Sequence, residues 1–273
     1  MSNAEPAPTR YGFYSKPLTG PIEELSLLRR SLLFAELADV AYLEKASAAS
    51  TVNQINLRET LFIERDGAQA YVFRSDTDCI VACRGTEPTE WNDVRADVNA
   101  MTALAETVGR VHRGFKKEVD DLWPRLEKEL VDNDKTLWFT GHSLGGAMAS
   151  ISAGRCHLSH IPSFPEELFT FGSPRVGNKR YVNYVKIQHY RWVNNNDIVT
   201  RVPPLWMGYR HTGTIMYLDA HGRHRKMTKT QRARDRARGF WMALKKGKID
   251  YLADHSMRGY IEGIESAVQQ QGG

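Results

Sequence analysis

At 273 residues and 41% hydrophobic content, the chain can fill a sizeable core and is too apolar to stay disordered. No apolar run approaches the ~20 residues that cross a bilayer, so no transmembrane helix is expected. The net charge of +5 is unevenly placed: His221 to Lys248 holds eleven Lys/Arg against one acid, Asp235, which leaves the rest of the chain acidic.

Residues 1–20, rich in Pro, Gly and Ser/Thr, read as a mobile arm ahead of one domain over 21–273. Pro6, Pro8, Pro17 and charges interrupt this arm, which has no apolar signal core; a cytoplasmic protein is the expectation. From Pro21 a helix is predicted, with Leu25, Leu28, Leu32, Leu33 and Leu37 repeating on one face. Leu61 to Phe73 reads as a hairpin turning at Asp66-Gly67. Cys79 to Cys83 reads as a buried strand. Its two thiols would be ~13 Å apart at strand spacing, beyond the about 7 Å between Cα atoms that a disulfide tolerates. Reduced, structural cysteines are expected.

Glu87 to Met101 is amphipathic, with Trp91, Val94, Val98 and Met101 on one helical face. Gly114 to Val131 is a further helix. Leu137-Trp138-Phe139 is a short β-favouring run, followed by Gly141-His-Ser-Leu-Gly145 and a small-residue helix from Gly146 to Gly154. That order of strand, G-x-S-x-G turn and helix is the nucleophile elbow, in which Ser143 is pushed out at a strand's carboxyl end. Gly141 and Gly145 suit a turn too tight for side chains. Strands follow at Leu168–Phe171, His189–Val193 and Gly213–Leu218. Strands alternating with helices predict an α/β fold, a mostly parallel central sheet with helices on both faces.

A serine nucleophile needs a base, an orienting carboxylate and oxyanion donors. Asp197 follows the His189–Val193 strand among the turn-forming Asn194, Asn195 and Asn196, which suits the acid. A loop-capping or salt-bridged Asp is the bland alternative. Among the histidines after Asp197, His211 leads into the last strand, and His221 and His224 lie in the basic segment. His255 lies between that segment and a C-terminal helix, where the base of such a triad sits; on the residues alone a structural histidine there is equally consistent. His142, beside the nucleophile, is expected to point away and be structural.

Six ordered stretches now come together: Arg84-Gly-Thr86, Val111 to Phe115, Gly141 to Gly145, Phe171 to Asn178, Asn194 to Pro204, and Asp254-His255 with Tyr260. In order and spacing they resemble the class 3 lipases, the fungal-lipase-like branch of the α/β-hydrolase fold. The resemblance runs from roughly Phe34 to Tyr260. It implies a triad of Ser143, Asp197 and His255, and an oxyanion hole from Thr86 and the backbone N–H of Leu144. It implies a candidate lid at 87–101 and no metal or organic cofactor.

The resemblance implies hydrolysis of lipid carboxylic esters, triacylglycerols in the first instance. A phospholipase A, an esterase for short soluble esters, and a non-catalytic membrane-associating protein of the same fold are the alternatives. The basic segment 221–248 departs from the family pattern. Ala233, Ala237, Phe240, Trp241 and Leu244 form an apolar stripe among its cations, interrupted by Gly239 at a helix cost of ~1 kcal/mol. One reading lays this helix on an anionic membrane surface. The other docks it on its own domain through Phe240 and Trp241. Nucleic-acid binding is not expected, because no recognition fold accompanies the charge.

Overall fold

The computed structural model describes residues 12–85, 101–106, 108–158, 161–245 and 253–271. A 3-10 turn at Ile22–Glu24 precedes α1 (Leu27–Val40) and α2 (Lys45–Asn53). The strands β1 (Glu59–Arg65), β2 (Ala68–Arg74) and β3 (Asp78–Cys83) follow, then β4 (Thr102–Leu104), β5 (Arg110–His112) and α3 (Arg113–Val131). Next come β6 (Thr136–His142), α4 (Leu144–Leu158), β7 (Pro165–Phe171), β8 (Gly177–Asn178), α5 (Lys179–Tyr184) and β9 (Gln188–Asn194). The chain closes with β10 (Tyr209–Arg210), β11 (Thr214–Leu218), α6 (Lys229–Lys245) and α7 (Met257–Gln271).

Seven strands form the main sheet in the order β1-β2-β3-β6-β7-β9-β11. The first three pair antiparallel, and β3, β6, β7, β9 and β11 run parallel. A small antiparallel sheet, β10-β8-β5-β4, stands apart from it; its two- and three-residue strands carry too little pattern to be seen in sequence. The hairpin turns at Asp66 and Gly67 as expected, both with positive φ.

Alternate side chains of each strand feed the two faces, so the sheet buries apolar residues on both. On one face Ile80, Trp138, Phe169 and Trp192 pack under α1 and α7. Phe34 of α1 stacks on Phe169 with ring centroids 4.5 Å apart and lies 5.5 Å from Trp138. On the other face Val81, Phe139 and Leu168 pack under α3 and α4. Cys79, Cys83 and Cys156 are buried thiols, and burial pushes Cys79 up to about 11. No helix among the described residues is long and apolar enough to cross a membrane.

The first helix begins later than its leucine spacing predicts. Pro21 leads only into the 3-10 turn Ile22–Glu24, and Ser26 caps the helix: Ser26 Oγ accepts the Arg29 N–H, while Leu25 is extended and lies outside the helix. A serine side chain satisfies a helix-end donor, and a proline ring cannot. Leu28, Leu32, Leu33 and Leu37 keep the predicted buried face. The α2 helix was not anticipated; three of its nine residues are buried and no apolar stripe marks it.

Behind α1, Glu36 accepts the backbone N–H groups of Tyr14 and Ser15, pinning the approach to the fold. Burial outweighs those bonds and pushes the Glu36 carboxyl from its ordinary 4.5 up to about 7. A carboxyl held above its unfolded value contributes stability that is complete below pH 4.5 and lost as pH rises through about 7. Glu36→Gln should therefore flatten the fall in unfolding free energy across that window, read from urea titrations at stepped pH; an unchanged slope would contradict the assignment.

Candidate active site

The site is built where β6 ends. Ser143 follows it with φ +58°, a left-handed backbone that non-glycine residues adopt under constraint. Three backbone bonds hold it there: the Ser143 N–H donates to the Phe171 carbonyl at 3.0 Å, and its own carbonyl accepts the N–H groups of Gly146 at 3.0 Å and Ala147 at 3.3 Å. The turn closes only because Gly145 lies against the Cys83 carbonyl and the Arg84–Gly85 backbone, where a Cβ would overlap them. Leu144 opens α4, so its N–H is among the helix-end donors without an intrahelical acceptor.

Asp197 and His255, 58 positions apart, meet with His255 Nδ1 2.9 Å from Asp197 Oδ2. A carboxylate oxygen only accepts, so Nδ1 carries the proton and the lone pair of the imidazole is on Nε2. The carboxylate is itself fixed. Val199 N–H donates to Oδ1 at 2.9 Å, and Tyr260 O–H donates to Oδ2 at 2.6 Å. The Tyr260 hydroxyl in turn accepts the Asn194 N–H at 3.0 Å. Burial, and then the adjacent Asp197 charge, holds the Tyr260 phenol well above its ordinary range, so it remains a donor. Ser143, Asp197 and His255 are 0%, 0% and 2% exposed, and among the described residues Ser143 Oγ has no hydrogen-bond partner.

Two further residues bring the base to the elbow. The His142 ring packs against His255 at a tilt of 33° with centroids 4.4 Å apart, and His142 Nε2 lies 2.7 Å from the His255 carbonyl. Facing a carbonyl, Nε2 must donate, so His142 Nδ1 accepts from the Tyr42 hydroxyl at 2.9 Å. Burial, with His255 beside it, holds the His142 imidazole well below its ordinary value and therefore neutral. His142 is turned from the serine as expected, yet it is a direct neighbour of the base, which the sequence did not suggest. Gly172 is the second. It follows the carbonyl that holds Ser143, has φ +60°, and a Cβ on it would lie 2.8 Å from Asp197 Oδ2 and from the His255 ring.

The other histidines weighed for the base lie elsewhere. His211 Nε2 meets the Thr200 carbonyl, and His224 packs 5.1 Å from the Trp192 ring. Thr86 and the stripe residues Trp91, Val94 and Val98 lie outside the described residues. Met101 lies just ahead of β4, 57% exposed and not in a helix there, because its carbonyl accepts the Arg113 N–H as the chain enters the small sheet.

The α6 helix docks by a polar stripe adjoining the apolar one expected to face the domain. Its inward stripe is Arg232, Asp235, Arg236 and Gly239, spaced at helical intervals. Asp235 accepts from Asn195 Nδ2 at 2.7 Å, Tyr217 O–H at 3.0 Å and Ala220 N–H at 3.0 Å. Asn196 Nδ2 donates to the Arg236 carbonyl at 3.0 Å. Gly239 is there because a Cβ would overlap Asn195 Oδ1. Phe240 and Trp241 are 42% and 59% exposed and hold nothing down: buried polar donors on the 194–196 loop took the inner face. A lone acid in a run of cations was the available signal for this contact.

Residues 80–207 match the family model described as Lipase (class 3). Over this stretch, a little under half of its length, the chain is similar to the class 3 lipases. A secreted mono- and diacylglycerol lipase of Fusarium solani is 39% identical over 132 residues, which cover 47% of this chain and 32% of that protein. The toxin TseL of Vibrio cholerae is 31% identical over 183 residues, 52% of this chain and 28% of that protein. The solved lipase II of Rhizopus niveus superposes with a TM-score of 0.57 at 25% identity, covering 70% of this chain and 80% of that chain. The chain thus spans about a third of the length of the first curated relatives it matches. Like that solved lipase, it has the α/β-hydrolase fold, with its mostly parallel sheet between helices.

Gly172→Ala should cost about 1–2 kcal/mol from the left-handed backbone alone, and more from the collision with Asp197 and His255. Tyr260→Phe, which strips partners from Asn194 N–H and Asp197, should cost about 1–3 kcal/mol. Urea midpoints equal to the parent's would show that neither contact is made in solution.

Proposed function

We propose that this protein hydrolyses carboxylic esters of lipids through an acyl-enzyme on Ser143. The observation that carries the reading is the Asp197–His255 pair, buried at 2.9 Å and tied through His142 and Gly172 to a serine in a left-handed elbow. In this scheme His255 Nε2 takes the Ser143 proton as Oγ attacks the ester carbonyl. The Leu144 N–H, with Thr86 as its expected partner, stabilises the oxyanion. His255 then returns the proton to the leaving alcohol and activates water for deacylation, while Asp197 stabilises the imidazolium. Each step is acid–base and nucleophilic chemistry of these side chains.

The relatives support an acylglycerol substrate, mono- and diacylglycerols being those of the Fusarium solani lipase's name. Because Ser143 is fully covered in this conformation, ester reaches it only after a change in what covers it. The 87–101 stripe is the candidate for that cover. A membrane-presented ester also fits the cations of 221–248, and on that ground a phospholipase A is the second reading.

A p-nitrophenyl ester chain-length series on parent and Ser143→Ala tests this. Long acyl chains should be preferred, and Ser143→Ala should lose on the order of 10³-fold or more in kcat. Equal rates for the two proteins on every ester would end the enzyme reading. With a long-chain ester the parent rate should also jump above the critical micelle concentration; smooth saturation through it would remove the lid from the scheme.

A further inference from the structure

The apolar stripe of α6 is left bare because the helix is held by polar contacts. Arg232, Asp235, Arg236 and Gly239 face the fold; Ala233, Ala237, Phe240 and Trp241 are exposed on an adjoining stripe. At about 100° per residue, Arg234 and Arg238 extend the outer surface beyond the apolar stripe, and both are exposed. The acid that could have offset these cations, Asp235, is turned inward and used up on Asn195, Tyr217 and Ala220. What remains outside is aromatic and cationic with no acid on the helix.

A second exposed aromatic segment lies downstream of the loop that α6 binds. Asn196, bonded to the Arg236 carbonyl, accepts from Arg201 through Oδ1 at 3.1 Å. Arg201 closes the turn Val199–Arg201, and the next turn, Leu205–Met207, carries Leu205 and Trp206, which are 55% and 83% exposed. Arg201, Arg210 and Arg236 all lie near enough to Arg175 to help burial lower its guanidinium below the usual range. Cations from the two segments therefore converge around the loop that leads to Asp197.

We propose that α6 is a docking surface for an anionic phospholipid bilayer. Phe240 and Trp241 enter the interfacial layer, and Arg234 and Arg238 meet the headgroup phosphates. Amphipathic aromatic rings settle at that depth and basic side chains are drawn to the negative surface potential. Because the inner stripe of α6 is bonded to Asn195 and Asn196, docking holds the acid loop, and with it Ser143, at the lipid surface. This partner rests on the lipid-ester reading for its purpose but not for its test.

The test uses the full chain carrying Ser143→Ala, so hydrolysis plays no part in the result. Co-sedimentation with phosphatidylglycerol-containing vesicles should exceed that with pure phosphatidylcholine and fall at high salt. Arg234→Gln with Arg238→Gln should weaken partitioning roughly 30-fold, at about a fivefold loss per surface cation. Phe240→Ser with Trp241→Ser should release the protein from the same vesicles. All four positions are exposed, and matching urea midpoints would confirm that the variants fold. Three results would each overturn the proposal: equal recovery with neutral vesicles, no recovery with either, or a dimer dispersed by the Phe240/Trp241 pair that binds no vesicle. Vesicle binding together with no esterase activity in the parent protein would refute the catalytic reading and leave the docking surface standing.

Discussion

The close approach of α4 to the ends of β3 and β6 is the constraint from which the site follows. With Gly145 against the Cys83 carbonyl, the helix can begin directly after Ser143, and the serine is driven into its left-handed conformation. The conformation is unfavourable in isolation and is held by hydrogen bonds from β7 and from within the turn. Any side chain at Gly145 would push α4 off the sheet, and the Leu144 N–H would move with it.

Around that fixed point the acid and base are held by parts of the chain that are remote in sequence. The carboxylate of Asp197 is bound from its own loop by Val199 and from α7 by Tyr260; His255 is bound from β6 by His142. Each of these partners is neutral, so the Asp197 charge is answered by hydrogen bonds and by the imidazole, not by a second full charge. This arrangement lets a buried carboxylate stabilise an imidazolium when one forms and keeps the tautomer set before it does. The neighbouring histidine stays out of the proton traffic because burial keeps it neutral.

The basic helix shows a competition between apolar burial and polar satisfaction. Burying Phe240 and Trp241 on the domain would have gained hydrophobic free energy, yet it would have left Asn195, Asn196 and Tyr217 facing apolar side chains. An unsatisfied buried donor costs about 1–3 kcal/mol, and Asp235 and the Arg236 carbonyl answer three of them in one turn of helix. The fold therefore keeps the polar stripe inside, with the aromatic stripe as its outer surface.

Local pattern was sufficient for the elbow, the hairpin at Asp66-Gly67, the strands of the parallel sheet and the long helix of Arg113–Val131. Each is specified by turn chemistry or by apolar period within a dozen residues. The order of six motifs also named Asp197 and His255, because chain order is preserved wherever the strands stack in sequence. Sequence could not show which residues support that pair. His142 reads as a spectator and Gly172 as one glycine among many, until three strands bring them to the same few ångströms. Nor could it choose the inner face of α6: periodicity shows that a stripe exists, and only the polar groups waiting on the 194–196 loop decide which stripe they bind.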